Sequence, residues 1–519
     1  MNSQIDLIWS KQPEKVMLIG ESEQINYLEF QKRVEHYKSS LIEYRASSVA
    51  LCIDNGIDWI LIDFACQQLA ITLLPLPNYF SAEQINHSVA TAGCDLLFVS
   101  SNISEVFVSQ FSGAEVLEYG AGLMVYSLPF ADSTITKKCL PVHTSKITFT
   151  SGTTGNPKGV CLSSEHQWQV ASSIASAVKH SINKHLCVLP LATLLENIAG
   201  VYAPLLNGTS IEIPSLTSLG FCGSSSLDFS QFIKQISLSA PASIITTPEL
   251  LKGMVEACQL GWKAPSSLKF IAVGGAHVAP ALLELAAASG LPVFQGYGLS
   301  ECCSVVSLNT SKHSLPSSVG KPLEHTQVTI EQGEVVVNGP LFLGYAGDKN
   351  SWGNTRYATG DLGYIDQQGY LFIQGRKKNT LISSYGRNIN PEWIEACLQG
   401  ASHIKQAIVF GDAMPFCCAA IYINRATTNE RDVSKHIAQV NQQLPDYAQI
   451  KSWFYLTEKI TPNSSLMTTN GRIRRHAASK YLSTQISAIY QQDLPTQVNA
   501  KVQRLNKSHQ IKLSVEKSQ

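Results

Sequence analysis

The stretch from about residue 140 to 300 constrains the fold most, because short apolar runs alternate there with segments of helical spacing. The runs are "KITFT", "HLCVLPLA", "ASIITT", "LKFIAVGG" and "LPVFQGYG". A helical pattern such as "TPELLKGMVEACQL" follows, with Thr247 as a cap and Pro248 at the first helical position. Strands that alternate with helices need right-handed crossovers, which give an α/β fold with mostly parallel sheets. Ligands of such sheets bind beyond the carboxyl ends of the strands. "TSGTTGNPKG", "GGAH" and "QGYGLSE" are all expected at such ends.

From 326 to 376 the pattern changes. "TQVTIEQGEVVVNGPLFLGY" and "GYIDQQGYLFIQGR" alternate and turn at Gly, as antiparallel hairpins do. They predict a small β-barrel-like part at the end of the large domain. "KKNTLISSYGRNINPEWIEACLQ" then reads as a basic turn, a strand, a Gly turn and a helix opened by Asn390, Pro391 and Glu392. Two further strands, "QAIVFGD" and "CCAAIYIN", complete a small α+β unit. The expected organisation is a large domain over 1–377, a small mobile domain over 378–492 and a polar tail or linker over 493–519.

A chain of 519 residues is too long for one ordinary core. Its 39 basic and 39 acidic residues cancel, which argues against a global nucleic-acid footprint. The start, "MNSQIDLIWSKQPEK", lacks the apolar core of a secretory signal. "WILIDFACQQLAITLLPLP" is interrupted by Asp63, Gln67 and Gln68, so it reads as a buried helix running into a strand, not a membrane span. The 13 Cys have no zinc-ligand spacing and read as reduced, buried small hydrophobes of a cytoplasmic protein.

The segment "TFTSGTTGNPKGV", Thr148 to Val160, has the composition of a loop that closes backbone N–H groups around phosphate. It is not a P-loop: counted from Gly152, the second Gly and the hydroxyl positions hold Pro157 and Gly159. Taken alone, it also fits a Gly/Thr-rich turn with no ligand. Singly, Glu301 also reads as a surface charge, Tyr297 as a core aromatic and Asp361 as a turn residue. The histidines, His277 included, form no ligand constellation and read as structural, and Trp393 reads as core.

"TSGTTGNPKG", "GYGLSE", "YATGDLGYIDQQGYLFIQGR" and "GRNINPEWIE" occur in this order, and together they resemble the ANL superfamily of adenylate-forming enzymes. The resemblance runs from about residue 10 to 490. "LPLATLLENIAG" and "GRNINPEWIE" look most like its fatty acyl-CoA synthetase and acyl-ACP ligase branch. It implies two steps: a carboxylate attacks the α-phosphate of Mg–ATP to give acyl-AMP and pyrophosphate, then a thiol displaces AMP. It implies a medium- or long-chain fatty acid, with CoA or holo-acyl carrier protein as thiol acceptor.

The family roles carry over position by position. Thr150, Ser151, Gly152, Thr153, Thr154 and Gly155 would surround the phosphates, with Lys158 as a mobile cation. Glu301 and Thr153 would hold Mg²⁺. Gly274, Gly275, Ala276, Gly296, Tyr297, Gly298 and Ser300 would border the adenine side, and Asp361 and Arg376 the ribose. Thr193 and Gly298 would border the acyl pocket, and Lys378 matches the hinge between the domains.

The sequence departs from the family in three places. "TTNGRIRR" carries Arg472 where the family has a lysine that bridges carboxylate and α-phosphate. Arg keeps the charge but changes its shape and hydration. Thr193 replaces a common His, and "GYAGDKNSWGNTRY" is shorter than usual, with no fatty acyl-AMP ligase insertion. An aryl or amino acid substrate is the second enzyme reading, and a weak acyl-adenylate-binding protein, motivated by Arg472, is the alternative from a different class. The basic run "GRIRRHAASK" suits ATP, CoA, a carrier protein or merely a solvated helix face.

Overall fold

The computed structural model describes residues 3–77, 80, 82–100, 111, 113–120, 122–128, 140–150, 158–178, 182–222, 226–276, 278–384, 387–401, 403–423, 428–461, 464–468 and 471–490. Ser151, Gly152, Thr153, Thr154 and Gly155 of the Gly/Thr-rich loop, His277 and the expected 493–519 tail lie outside the described residues. The chain divides into two compact units. One comprises Met1–Ala276, Leu283–Thr359 and Tyr364–Phe372; the other His277–Leu282, Gly360–Gly363 and Ile373–Gln519.

The first unit is α/β, with parallel strands at the centre of both its large sheets. In the nine-stranded sheet, Val293–Leu299, Phe270–Val273, Ser243–Thr246, Lys184–Leu186, Ser210–Glu212 and Val16–Ile19 lie side by side and parallel. Ser304–Leu308 and Lys321–Pro322 extend one edge antiparallel, and Gln24–Asn26 the other. In the eight-stranded sheet, Lys146–Thr150, Thr72–Pro75, Ser48–Cys52 and Leu96–Ser100 are parallel neighbours. Antiparallel strands flank them on both sides. The hairpin region forms a four-stranded sheet in the order Gln327–Glu331, Glu334–Asn338, Arg356–Ile365 and Leu371–Arg376.

Local sequence explains these elements. Thr247 caps the helix Pro248–Gln259 by accepting from the Leu250 amide. The apolar stretch expected to avoid the membrane is the buried helix Ile57–Gln68 followed by the strand Thr72–Pro75. Among the described residues no helix is long and apolar enough to cross a membrane. The cysteines described are free and most are buried; burial pushes the Cys52 and Cys161 thiols up to about 12.

A buried polar cluster surrounds the first residue of the strand Lys146–Thr150, which leads into the Gly/Thr-rich loop. Lys146, at the start of the strand that feeds the loop, is 3.0 Å from Asp63 on the helix Ile57–Gln68. Lys146 also donates to Asn197 and Tyr202, while Tyr202 and Asn197 donate to Asp63. Burial holds the Lys146 ammonium below its ordinary value, against the pull of Asp63. Asn197 and Tyr202 sit on the π-helix Glu196–Tyr202.

The second unit packs helices on a three-stranded sheet. Ile404–Phe410 and Cys417–Ile423 pair antiparallel, and Ile450–Tyr455 adds parallel to the latter. The helices Pro391–Gln399 and Glu430–Gln443 cover one face, with Ile394, Leu398, Val433, Ile437 and Val440 in the core. Ala478, Leu482, Ile486 and Ile489 pack with Ile408, Ala420 and Phe454 in a second cluster. The strand Ile450–Tyr455 is absent from the sequence reading, because its exposed Lys451 and half-buried neighbours break the apolar run.

Candidate active site

The strand Lys146–Thr150 enters the Gly/Thr-rich loop, and Lys158–Leu162 leaves it as its antiparallel partner, with Thr150 opposite Lys158. A strand thus follows the loop where a βα unit was expected. Exposed Lys158 lies over the Tyr345 ring, its Nζ 4.8 Å from the centroid. The Tyr345 hydroxyl donates to Glu301 Oε1 at 2.9 Å and lies 3.2 Å from the Tyr357 hydroxyl. Burial first, and the Glu301 charge after it, push the Tyr345 phenol up, so it stays a donor. The structure therefore brings Lys158 and Glu301 to the ring and the hydroxyl of one side chain. Neither Tyr345 nor Tyr357 was singled out in the sequence; the signal available was "LGY" and "RY" at the ends of the shortened segment.

Glu301 lies in the short turn Ser300–Cys302, which joins the antiparallel strands Val293–Leu299 and Ser304–Leu308. "QGYGL" thus lies within a strand and not beyond its end, because Ser304–Leu308 continues the ladder. Tyr297 is opposite Ser307 and is half-buried. Gly298 is obligatory on steric grounds: an added Cβ would come 1.7 Å from the Ser304 carbonyl oxygen. Gly274 follows the strand Phe270–Val273, its amide donating to Thr246 O, and an added Cβ there would lie 3.5 Å from Gly296 O. Gly275 and Ala276 are exposed beyond it. Thr193 closes a turn by donating to the Pro190 carbonyl, ahead of the π-helix Glu196–Tyr202.

In the second unit, Arg376 Nε is 2.6 Å from Asp361 Oδ1, and Asp361 is buried. Burial, then Arg376 and Arg472, hold the Lys378 ammonium below its ordinary value, while Asp361 and Glu392 oppose them. Arg376, Lys378, Asp361 and Arg472 therefore share one charged neighbourhood. Arg472 is exposed, with its amide bonded to the Thr468 hydroxyl and its carbonyl to the Thr468 amide. Asn379 donates to Glu392 Oε1, which ties the residues after Lys378 to the first turn of the helix Pro391–Gln399.

His185, Cys187 and Glu196 also cluster, all buried, with ligand-type atoms within 4.8 Å of one another. Their bonding is internal: His185 joins Ser243 and Glu196, and Glu196 accepts from the Leu189 amide. Burial pushes the Glu196 carboxyl up and the Cys187 thiol well up. The sequence reading finds no ligand constellation among the histidines, whereas the fold brings His185 beside Cys187 and Glu196.

Known proteins resemble this chain in sequence and in fold. The chain is 26% identical over 500 residues to a 2-succinylbenzoate–CoA ligase of Bacillus cereus, covering 89% of this chain and 96% of that one. It is 24% identical over 540 residues to the long-chain-fatty-acid–CoA ligase FadD15 of Mycobacterium bovis, covering 84% and 86%. Its fold matches the o-succinylbenzoate CoA synthetase of Bacillus subtilis in complex with ATP and magnesium, with TM-score 0.71, 21% identity and coverage of 91% and 98%. It also matches the anthranilate CoA ligase AuaEII in complex with anthranoyl-AMP, with TM-score 0.75, 16% identity and coverage of 92% and 96%. The family profile of AMP-binding enzymes matches residues 6–346, and that of the AMP-binding enzyme C-terminal domain matches 378–494. The chain belongs to the AMP-binding enzymes, the adenylate-forming ANL superfamily.

Proposed function

We propose that this protein is an AMP-forming acid–CoA ligase whose substrate is an aromatic carboxylic acid. The observation that carries this is the near full-length likeness to the 2-succinylbenzoate–CoA ligase of B. cereus, over 96% of that chain. The fatty acid expected from "LPLATLLENIAG" gives way to the aryl alternative, and the carrier-protein acceptor to CoA.

In the first step a carboxylate oxygen attacks the α-phosphorus of ATP; the new P–O bond gives acyl-AMP and pyrophosphate leaves. In the second, the CoA thiol attacks the acyl carbon, AMP leaves and the thiol proton passes to solvent. Thr150 and the loop after it surround the β- and γ-phosphates, and Lys158 supplies a cation where pyrophosphate departs. Asp361 accepts from the ribose hydroxyls, and Arg376 holds its carboxylate in place. Arg472 brings positive charge to the acid and the α-phosphate, and Lys378 serves as the hinge of the small domain.

Glu301 fits a Mg²⁺ ion, which is held by one or two carboxylates with phosphate oxygens. Its carboxylate is half-buried and one oxygen is already fixed by Tyr345. Glu301 and Thr153 would hold the ion, which would neutralise phosphate charge. The test is pyrophosphate release with Mg–ATP against 2-succinylbenzoate, benzoate, anthranilate and saturated fatty acids, with acyl-AMP and acyl-CoA sought by mass spectrometry. Turnover with aryl acids supports the proposal, and turnover confined to fatty acids restores the other branch. ATP binding without turnover on any acid points to the weak adenylate-binding alternative.

A further inference from the structure

We infer that Tyr345 is a positioning residue, which orients the Glu301 carboxylate through its hydroxyl and holds the Lys158 cation against its ring. The inference rests on the proposed role of Glu301 and adds a residue to which no role is assigned.

The backbone around Tyr345 is locked to both charged groups. The Phe342 amide donates to the Glu301 carbonyl at 2.8 Å, and the Ala346 amide donates to the Gly159 carbonyl at 2.8 Å. Gly344 and Tyr345 pair antiparallel with Cys161 and Val160 on the strand that leaves the Gly/Thr-rich loop. Residues 342–346 thus span from the turn of the acid to the exit of the loop. Tyr345 also has its own backbone fixed: its amide donates to Ser351 Oγ, and its carbonyl accepts from Trp352 Nε1 at 2.9 Å. Gly344 makes this possible. Its φ of +133° disfavours side chains, and an added Cβ would come 2.4 Å from Trp352 Cδ1.

The side chain is fixed as firmly. Its ring packs edge-on against Phe342, which packs in turn against Tyr357, at centroid distances of 4.9 and 5.4 Å. An aromatic ring held this way loses little further freedom when it binds, whereas a glutamate on a turn has three torsions to order. The Tyr345 hydroxyl orders one carboxylate oxygen in advance and leaves the direction of the other defined. The ring face meanwhile holds the Lys158 ammonium 4.8 Å from its centroid, on the same side chain whose hydroxyl meets the carboxylate, through a weak contact that a phosphate easily displaces. One residue thereby sets the spacing between the acid and the cation.

The test uses the full-length protein with α,β-methylene-ATP, and reads Mn²⁺ binding by electron paramagnetic resonance and metal-free nucleotide binding by calorimetry. Tyr345→Phe removes the hydroxyl and keeps the ring. It is expected to weaken Mn²⁺ binding about tenfold, the worth of one hydrogen bond to a charged group, with metal-free nucleotide affinity within about twofold. Tyr345→Leu removes both features and is expected to change both affinities. Glu301→Ala is the control, and an unchanged thermal midpoint of Tyr345→Phe separates positioning from folding. If Glu301→Ala loses Mn²⁺ and Tyr345→Phe keeps it, the inference is overturned while the role of Glu301 stands. If Glu301→Ala also keeps it, the role of Glu301 fails and the inference falls with it.

Discussion

Arg475 Nη2 lies 2.5 Å from Glu395 Oε2, and this pair fastens the basic segment that contains Arg472 to the helix Pro391–Gln399. The other Glu395 oxygen accepts from the Val409 amide, and Arg475 also donates to the Val409 carbonyl. Three pieces of the second unit therefore meet at one carboxylate. Arg475→Ala leaves that carboxylate buried without its cation, which costs about 3–5 kcal/mol. Urea denaturation is expected to show that loss, and pyrophosphate release is expected to fall with it as Arg472 loses its support. An unchanged midpoint would remove the pair from the account of the fold.

Arg472 itself is exposed, so changing it should spare stability and affect chemistry. Arg472→Ala is expected to slow acyl-AMP formation about 100-fold, roughly 2.7 kcal/mol of transition-state stabilisation. Arg472→Lys is expected to stay within about tenfold of the parent, because charge is kept and only shape is altered. Single-turnover rates, with thermal midpoints alongside, check both. An Ala variant as fast as the parent would leave Arg472 without a catalytic role.

Lys146 and Asp63 give a second stability test in the first unit. Lys146→Met strands a buried aspartate, and a loss of about 3–5 kcal/mol is expected. Pairing it with Asp63→Leu removes the stranded charge and should recover part of that loss. Chemical denaturation of the two single variants and the double variant measures the coupling. Strict additivity would mean that the pair contributes nothing as a pair.

His325 makes stability depend on acidity. Burial pushes its imidazole down from 6.5 to about 4. The unfolded chain therefore takes up a proton at a higher pH than the folded one. The contribution is whole above about 6.5 and is lost as pH falls towards about 4, by at most about 3 kcal/mol. His325→Gln is expected to flatten this slope in denaturation curves taken at pH 7, 5.5 and 4.5. The same slope in both proteins would place the acid sensitivity elsewhere.

The fold class was legible because its signals are local. Strand runs broken by capped helices, such as Thr247 before Pro248 and Asn390 before Pro391, need no knowledge of distant contacts. The antiparallel edges were not legible, since pairing of Lys146–Thr150 with Lys158–Leu162 depends on what lies across the sheet. The candidate site divided in the same way. Residues inside dense motifs, such as Glu301 and Asp361, were reached through the family resemblance of those motifs, since singly they read as a surface charge and a turn residue. Tyr345 sits 44 residues from Glu301 and 187 from Lys158 along the chain, and only folding places its hydroxyl and ring against them. Residues such as Glu392 and Arg475 were read as caps or charges, because their partners come from other elements.

The buried cluster around Asp63 also bears on the order of assembly. Its bonds join residues 83 and 139 positions apart, from Asp63 to Lys146 and to Tyr202. Neither of these two bonds forms within a single hairpin or helix. Each waits for the closure of a long loop, which makes early formation slow. Until residues 57–68, 146–150 and 196–202 have met, the lysine and the aspartate stay hydrated and resist burial. The strand that feeds the Gly/Thr-rich loop is therefore seated in a late, cooperative event. A nascent chain released before Tyr202 has emerged lacks the groups that allow that strand to dock.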